Sequence, residues 1–417
     1  MKSFACRNFR FHAVAAVCAL VMGVAGWAGT AGANEYLVGL QCDRSGPTQN
    51  VGQGICSGFH DYVALFNSQK RIPDGHTVKV MEIDHGYTVP RGVESYERHK
   101  AEGVVSIALY GTPIVVALTP KLNEDRIVGT SPGFGSAAGA NGERFPYLFP
   151  AAASYWSQAA TGIKYILDNW KGSSSPKLAY LFYDNPAGRE PFPILDDLEQ
   201  RLNLTLKRFA VPAPGIEMRP QVLDIARKYR ADFVLIHLFG RSPGVALKEF
   251  TRVGFPRDRM LGFVWAGGEA DINIAGWEQS QGYLSMHQAM VGQSHVVDQE
   301  IIAMYKGQGR AAPEQLMSNS VYYNRGVSWA ALHTEAIRAA VAKHGPKITT
   351  VHVQQAMERV NGYSERDFMP PFKMTPQDHE GGGFVRIFAV KGNTFEPVSE
   401  WIQGYRDVVM QHVMAAE

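Results

Sequence analysis

A chain of 417 residues, 45% hydrophobic and 19% charged, carries enough apolar material for two domains, each with its own core. Its net charge of +2 is misleading: the first 33 residues hold Lys2, Arg7 and Arg10 and no acid, leaving 38 basic against 39 acidic residues in the remainder. That balance excludes a basic nucleic-acid-binding surface, and no segment after the first 33 residues has the ~20 consecutive apolar residues that span a bilayer.

The N-terminus reads as an export signal. A basic start is followed by the apolar run "FHAVAAVCALVMGVAGWAG" and by Ala31-Gly32-Ala33, which has the small-x-small form of a cleavage site. This predicts a signal peptide over 1–33 and a periplasmic mature chain, with an uncleaved membrane anchor as the alternative. Cys18 follows Val17, where lipidation wants a small residue. Cys6 and Cys18 leave with the signal. Cys42 and Cys56 remain, and a pair in an exported chain reads as a disulfide; two reduced buried cysteines are the alternative. There is no second cysteine pair for zinc, and the histidines form no metal-ligating spacing, so no metal or other cofactor is expected.

The elements then follow in chain order. Strands are expected over 35–40, 77–84, 104–111 and 126–132, with helices over 54–69, 91–103 and 113–125 between them. The rhythm restarts after Pro150: helices over 155–170, 193–203, 219–230 and 244–254 alternate with strands over 177–184, 205–212, 232–239 and 259–265. Such alternation means parallel βαβ units with helices on both sheet faces. Two such sheets in succession predict an α/β protein of two Rossmann-like lobes. Helices over 295–308, 321–345 and 350–362 come next, followed by a hairpin over 382–401 turning at Gly392-Asn393. Their late return predicts that the chain crosses back to the first lobe.

Open parallel sheets bind ligands beyond the carboxyl ends of their strands, where helix N-termini present free N–H groups. The candidate ligand-binding residues at those ends are Tyr110, Gly111, Thr112, Ser131, Gly133, Phe134, Tyr183, Asp184, Trp265 and Glu269. Glycines permit close approach, Thr112 and Ser131 offer hydroxyls, the rings offer apolar walls, and Asp184 and Glu269 accept from a cation. Each alone also fits a plain capping or packing role. "GTSPG" (129–133) imitates a nucleophile elbow, and a secreted serine hydrolase using Ser131 is one alternative. The oxyanion hole would need the N–H after the serine, and Pro132 has none. "GFGSAA" (133–138) fits a dinucleotide fingerprint, but no acid follows at the required distance. The helical spacing of Trp156, Ala160, Ile163 and Ile166 marks a core face rather than a cofactor box.

The order of segments carries a resemblance. "GLQCDRSGPTQNVGQGICSGFHDYVALFN", "YGTPIVVALTPKLNEDRIVGTSPGFGS", "FPYLFPAAASYWSQAA", "LAYLFYDNPAGREPFPIL", "GFPRDRMLGFVWAGGEADI" and "YNRGVSWAALHTEAI" follow one another as in the type I periplasmic solute-binding proteins, the Leu/Ile/Val-binding class that serves ABC importers. The resemblance covers nearly all of the chain after the signal. It implies two lobes, 34–150 plus 286–370 and 151–285 plus 371–417, with crossings near 150–153, 282–286 and 369–375. It also implies a non-enzymatic monomer that closes on a small-molecule ligand and presents it to an ABC permease in the inner membrane. A sensor of the same fold, presenting ligand to a membrane receptor, is the other use. In the family a hydroxyl residue at the first lobe's helix start falls here on Gly111-Thr112, extending to Ile114, and the next strand end begins at Ser131. A tyrosine and an acid from the second lobe take the ligand ammonium. The turn with the tyrosine reads Tyr183-Asp184-Asn185-Pro186 here, and the acid would be Glu269. The family's alanine-threonine pair reads Gly133-Phe134-Gly135, which removes a donor and adds an apolar wall. An amino acid or a related aromatic carboxylate or amide is therefore the expected ligand. The loop "SGPTQNVGQG" is expected to rim the cleft.

Overall fold

The structure, a computed structural model, describes residues 33–416. Residues 1–32, with nearly all of the expected export signal, lie outside it. Among the described residues no helix is long and apolar enough to cross a membrane.

The first lobe is built on β1 (Glu35–Cys42), α1 (Gln49–Ser68), β2 (Thr77–Asp84), α2 (Val89–Ala101), β3 (Ser106–Ala108), α3 (Thr112–Asp125), β4 (Gly129–Ser131) and β5 (Leu148–Pro150). Its five strands pair in parallel in the order β2-β1-β3-β4-β5. Interior strand β1 buries Val38 and Leu40 completely. Edge strand β2 has one buried residue, Val78.

The second lobe begins with α4 (Tyr155–Asn169), β6 (Lys177–Tyr183), α5 (Pro186–Arg189), α6 (Phe192–Arg201), β7 (Thr205–Val211) and α7 (Arg219–Leu223). It continues with β8 (Phe233–His237), α8 (Ser242–Arg252), β9 (Met260–Gly262), α9 (Glu269–Ala275) and β10 (Leu284–His287). Strands β6 and β8 are near-continuous apolar runs because helices cover both faces. Edge strand β7 alternates: Leu206, Phe209 and Val211 point inward while Thr205, Lys207 and Ala210 are exposed. The helix expected over 219–230 ends as α7 at Leu223 and widens into a π turn over Asp224–Tyr229, closed by left-handed Arg230.

The C-terminal part supplies α10 (Val296–Gly307), α11 (Glu314–Ser318), α12 (Ser320–His344), α13 (Thr350–Met357), β11 (Asn361–Tyr363), β12 (Phe372–Lys373), β13 (Arg386–Lys391), β14 (Thr394–Pro397) and α14 (Arg406–Ala415). The second sheet runs β14-β13-β10-β9-β8-β6-β7; β13 runs antiparallel to both its neighbours, β10 and β14. Helix α12 returns to the first lobe and lies against α1. Glycines permit that approach: a Cβ on Gly58 would sit 2.0 Å from the Tyr323 carbonyl oxygen, and one on Gly326 would sit 1.8 Å from that of Ile55.

Strand β10 pairs with β9 and β13 and ends at His287, one residue beyond the crossing expected near 282–286. Strand β12 pairs with β11 and ends at Lys373, within the passage expected near 369–375. The segment expected as a glycine-rich rim loop is also partly helix, because α1 starts at Gln49.

Candidate functional site

Backbone geometry at the end of β3 sets the first wall. Gly111 has φ +99° and precedes α3. A Cβ there would lie 3.0 Å from the Tyr87 ring, so the glycine makes room for Tyr87 rather than for a ligand. Tyr110, three residues before Pro113, is buried beside it. Its hydroxyl lies 3.1 Å from Thr48 Oγ1. The Thr48 hydroxyl donates to Asp43 Oδ2 at 2.6 Å, so its single proton is committed and Tyr110 donates to Thr48. Asp43 also accepts from Thr48 N and Gly46 N. A chain of hydrogen bonds thus fixes the Tyr110 ring from behind.

The loop after β4 sets the second wall. Gly133 (φ +87°) and Gly135 (φ +106°) flank Phe134 and let the backbone turn the ring inward. Ser131 Oγ donates to the Phe134 carbonyl at 2.5 Å. Phe134 meets Tyr110 edge-on at 5.4 Å. From the second lobe come Tyr155 at the start of α4, Phe239 just beyond β8 and Trp265 just beyond β9. Phe134 and Trp265 touch across the two lobes at 5.4 Å. Asn50 Nδ2 donates to the Gly240 carbonyl at 3.0 Å, a second contact between the lobes.

Thr48, Val51, Tyr87, Tyr110, Gly111, Phe134, Tyr155, Phe239 and Trp265 line a narrow pocket with a cavity volume of about 20 Å³. Behind Trp265 stands Arg325, its guanidinium 4.9 Å from the indole centroid, with the Tyr322 ring stacked at 6.2 Å. Arg325 is buried and donates to the Val264 carbonyl and to His287 Nδ1. Burial pushes its pKa down to about 10, so it stays cationic at neutral pH. Burial raises the Tyr110 and Tyr155 hydroxyls well above the ordinary phenol range and raises Tyr87 too, so all three keep their protons.

Of the residues expected to bind ligand, Tyr110, Gly111, Phe134 and Trp265 line this pocket. Thr112 lies just behind it and accepts from Gly135 N at 3.2 Å. Ser131 and Gly133 shape the loop that carries Phe134. Tyr183 packs on the far side of Phe239, with ring centroids 4.9 Å apart. The two acids are placed elsewhere. Asp184 is exposed and paired with Arg189 at 2.5 Å. Glu269 accepts from the Ser320 hydroxyl and from Val321 N at 3.2 Å, neutralising the free N–H groups at the start of α12. Neither acid is free to take a ligand ammonium in this arrangement. Cys42 and Cys56 form the expected disulfide, joining the end of β1 to α1.

Thr48, Val51, Tyr87, Tyr155 and Phe239 were not singled out from the sequence. Two of them carried a usable signal: Tyr87 follows the strand over 77–84 and Phe239 ends the strand over 232–239, so both obey the strand-end rule. Thr48 and Val51 fall in the segment "SGPTQNVGQG" expected to rim the cleft, though neither was named within it.

A family model described as periplasmic binding protein matches residues 35–394. Among solved structures, one described as an ABC transporter permease from the Pseudomonas fluorescens group is 28% identical, with TM-score 0.83, covering 92% of this chain and 95% of that one. A branched-chain amino acid ABC transporter protein from Thermus thermophilus, solved with bound valine, is 22% identical with TM-score 0.78, covering 92% of this chain and 100% of that one. A fatty acid ABC transporter substrate-binding protein from Thermomonospora curvata is 16% identical with TM-score 0.74, covering 91% and 94%. At these last two identities the likeness concerns the fold. No curated protein matches the chain in sequence.

Proposed function

This chain belongs to the periplasmic binding protein family, and from that premise we propose that it is the extracytoplasmic solute-capturing component of an ABC importer. The observation that carries the reading is the pocket itself. Tyr87, Tyr110 and Phe134 come from one lobe and Tyr155, Phe239 and Trp265 from the other, so a ligand touching both sets holds the lobes together. A ligand shifts the open-closed balance only by its differential affinity for the two forms, and a split pocket supplies that difference. The mature protein acts as a monomer, closes on a small solute with an aromatic or planar body, and hands it to an inner-membrane permease. It performs no chemistry on the solute. Ser131, the one candidate nucleophile, spends its proton on the Phe134 carbonyl.

Thermal-shift screening of small solutes, followed by small-angle scattering, tests this. A solute at 100 times its dissociation constant adds about 2.7 kcal/mol of stability. The same solute should reduce the radius of gyration. Tight binding with an unchanged scattering profile would contradict capture by closure.

A further inference from the structure

We infer that the pocket selects an uncharged aromatic solute bearing a hydrogen-bond acceptor, and rejects free amino acids and aromatic carboxylates. The inference deepens the solute-binding reading and rests on it. An α-amino acid brings a carboxylate and an ammonium, and each needs a partner when buried. The carboxylate would look to the N-terminus of α3. There Pro113 has no N–H, and the Ile114 and Val115 N–H groups both donate to the Gly111 carbonyl at 3.0 Å. The Thr112 hydroxyl keeps a proton to donate, but it is buried behind the pocket lining, where its oxygen accepts from Gly135 N. The ammonium would look to an acid, but Asp184 is paired at the surface and Glu269 is spent on α12.

No charged side chain lines the pocket. Of the charged groups near it, Asp43 and Arg325 stand behind the ring wall and have partners, and burial pushes the pKa of Glu190, beyond Tyr155, up to about 8, which keeps it mostly neutral at pH 7.4. Asp43 accepts three hydrogen bonds from its own loop. Arg325 donates to carbonyls and to His287. His85, which packs against Tyr110, is held neutral because burial pushes its pKa down to about 4. A buried ion without a partner is costly, whereas a neutral ring replaces water against faces that hydrate poorly.

The acceptor requirement comes from the donor left over. The Trp265 indole N–H is buried without a protein partner. A carbonyl, hydroxyl or ether oxygen on the solute gives this donor what the protein does not.

Matched pairs at pH 7.4 test the inference on the mature protein: benzamide against benzoate, benzyl alcohol against benzylamine, and indole-3-carbinol against tryptophan. Calorimetry should show the neutral member binding roughly a hundredfold or more tighter in each pair. Val51→Trp, which fills the pocket from the start of α1, should abolish that binding while the circular dichroism spectrum is kept. Trp265→Phe, which keeps the ring wall and removes the indole donor, should weaken it roughly tenfold. A charged member that binds as tightly as its neutral partner, or binding that survives Val51→Trp, overturns the selectivity and leaves the solute-binding reading standing. If broad screening finds no solute of either kind that binds or changes the scattering profile, the solute-binding reading fails, and the selectivity fails with it.

Discussion

Glu190 offers a pH test of the contact between the lobes. It follows α5 in the second lobe, and its Oε1 accepts from Ala137 N of the first lobe at 2.8 Å. Its Oε2 is buried without a partner. Burial pushes its pKa up from 4.5 to about 8; the Ala137 N–H opposes the shift and the charge of Glu380 adds to it. The folded chain therefore favours the protonated acid. That contribution is complete below about pH 4.5 and is lost as pH rises through about 8. Integrated from pH 5 to pH 9, such a shift has a ceiling of about 4 kcal/mol, and partial exposure of the residue reduces it to about 1–2 kcal/mol. Glu190→Gln keeps the acceptor for Ala137 N and removes the titration. Urea unfolding of both proteins at pH 5 and pH 9 reads the difference. The variant should gain on the wild type by about 1–2 kcal/mol at the higher pH. Asp271 and Asp298, pushed up by burial to about 7 and about 8, titrate in both proteins and cancel. A difference between the two proteins that stays constant from pH 5 to pH 9 refutes the buried-acid account.

Three further outcomes are expected. Replacing both Cys42 and Cys56 with Ala opens a loop of sequence separation 14 and should lower the unfolding free energy by about 3 kcal/mol in a urea titration; an unchanged midpoint would show that α1 is fixed without the bridge. Ser131→Ala removes one buried hydrogen bond and should cost about 1 kcal/mol, with no ester hydrolysis before or after the change. Measurable hydrolysis by the wild type that is lost in the variant would revive the serine-hydrolase alternative. Glu269→Gln removes a negative charge from the start of α12 and should cost about 1 kcal/mol of stability, yet leave solute affinity within about twofold, since a group outside the pocket does not pay for binding. A loss of tenfold or more would return Glu269 to the ligand.

The periodicity of apolar residues was sufficient for the sheets. Runs such as "KLAYLFY" and "FVLIH" are buried on both faces, and only a covered parallel sheet asks for that. Short or polar elements were less legible. Strand β10, "LSMH", includes two polar residues that are buried with partners inside the fold: Ser285 hydrogen-bonds His287, which also accepts from Arg325. The start of α1, with Gly52 and Gly54, has the composition of a loop. Its glycines serve packing instead: a Cβ on Gly52 would lie 1.9 Å from the Asp43 carbonyl oxygen, and one on Gly54 would lie 2.9 Å from the Tyr322 side chain.

The same distinction runs through the pocket. Position along a strand could be read, and it located Tyr110, Phe134 and Trp265. Availability could not, because it depends on which partners the fold brings to each side chain. Glu269 follows Trp265 by four residues, but its carboxylate is claimed by Ser320 and Val321, some fifty residues away. Asp184 is claimed by Arg189, one turn further on. A residue type at a strand end shows what a side chain could offer a ligand. What it has left to offer is fixed by the hydrogen bonds it has already made, and at this site those bonds occupy the two acids and leave rings lining the pocket.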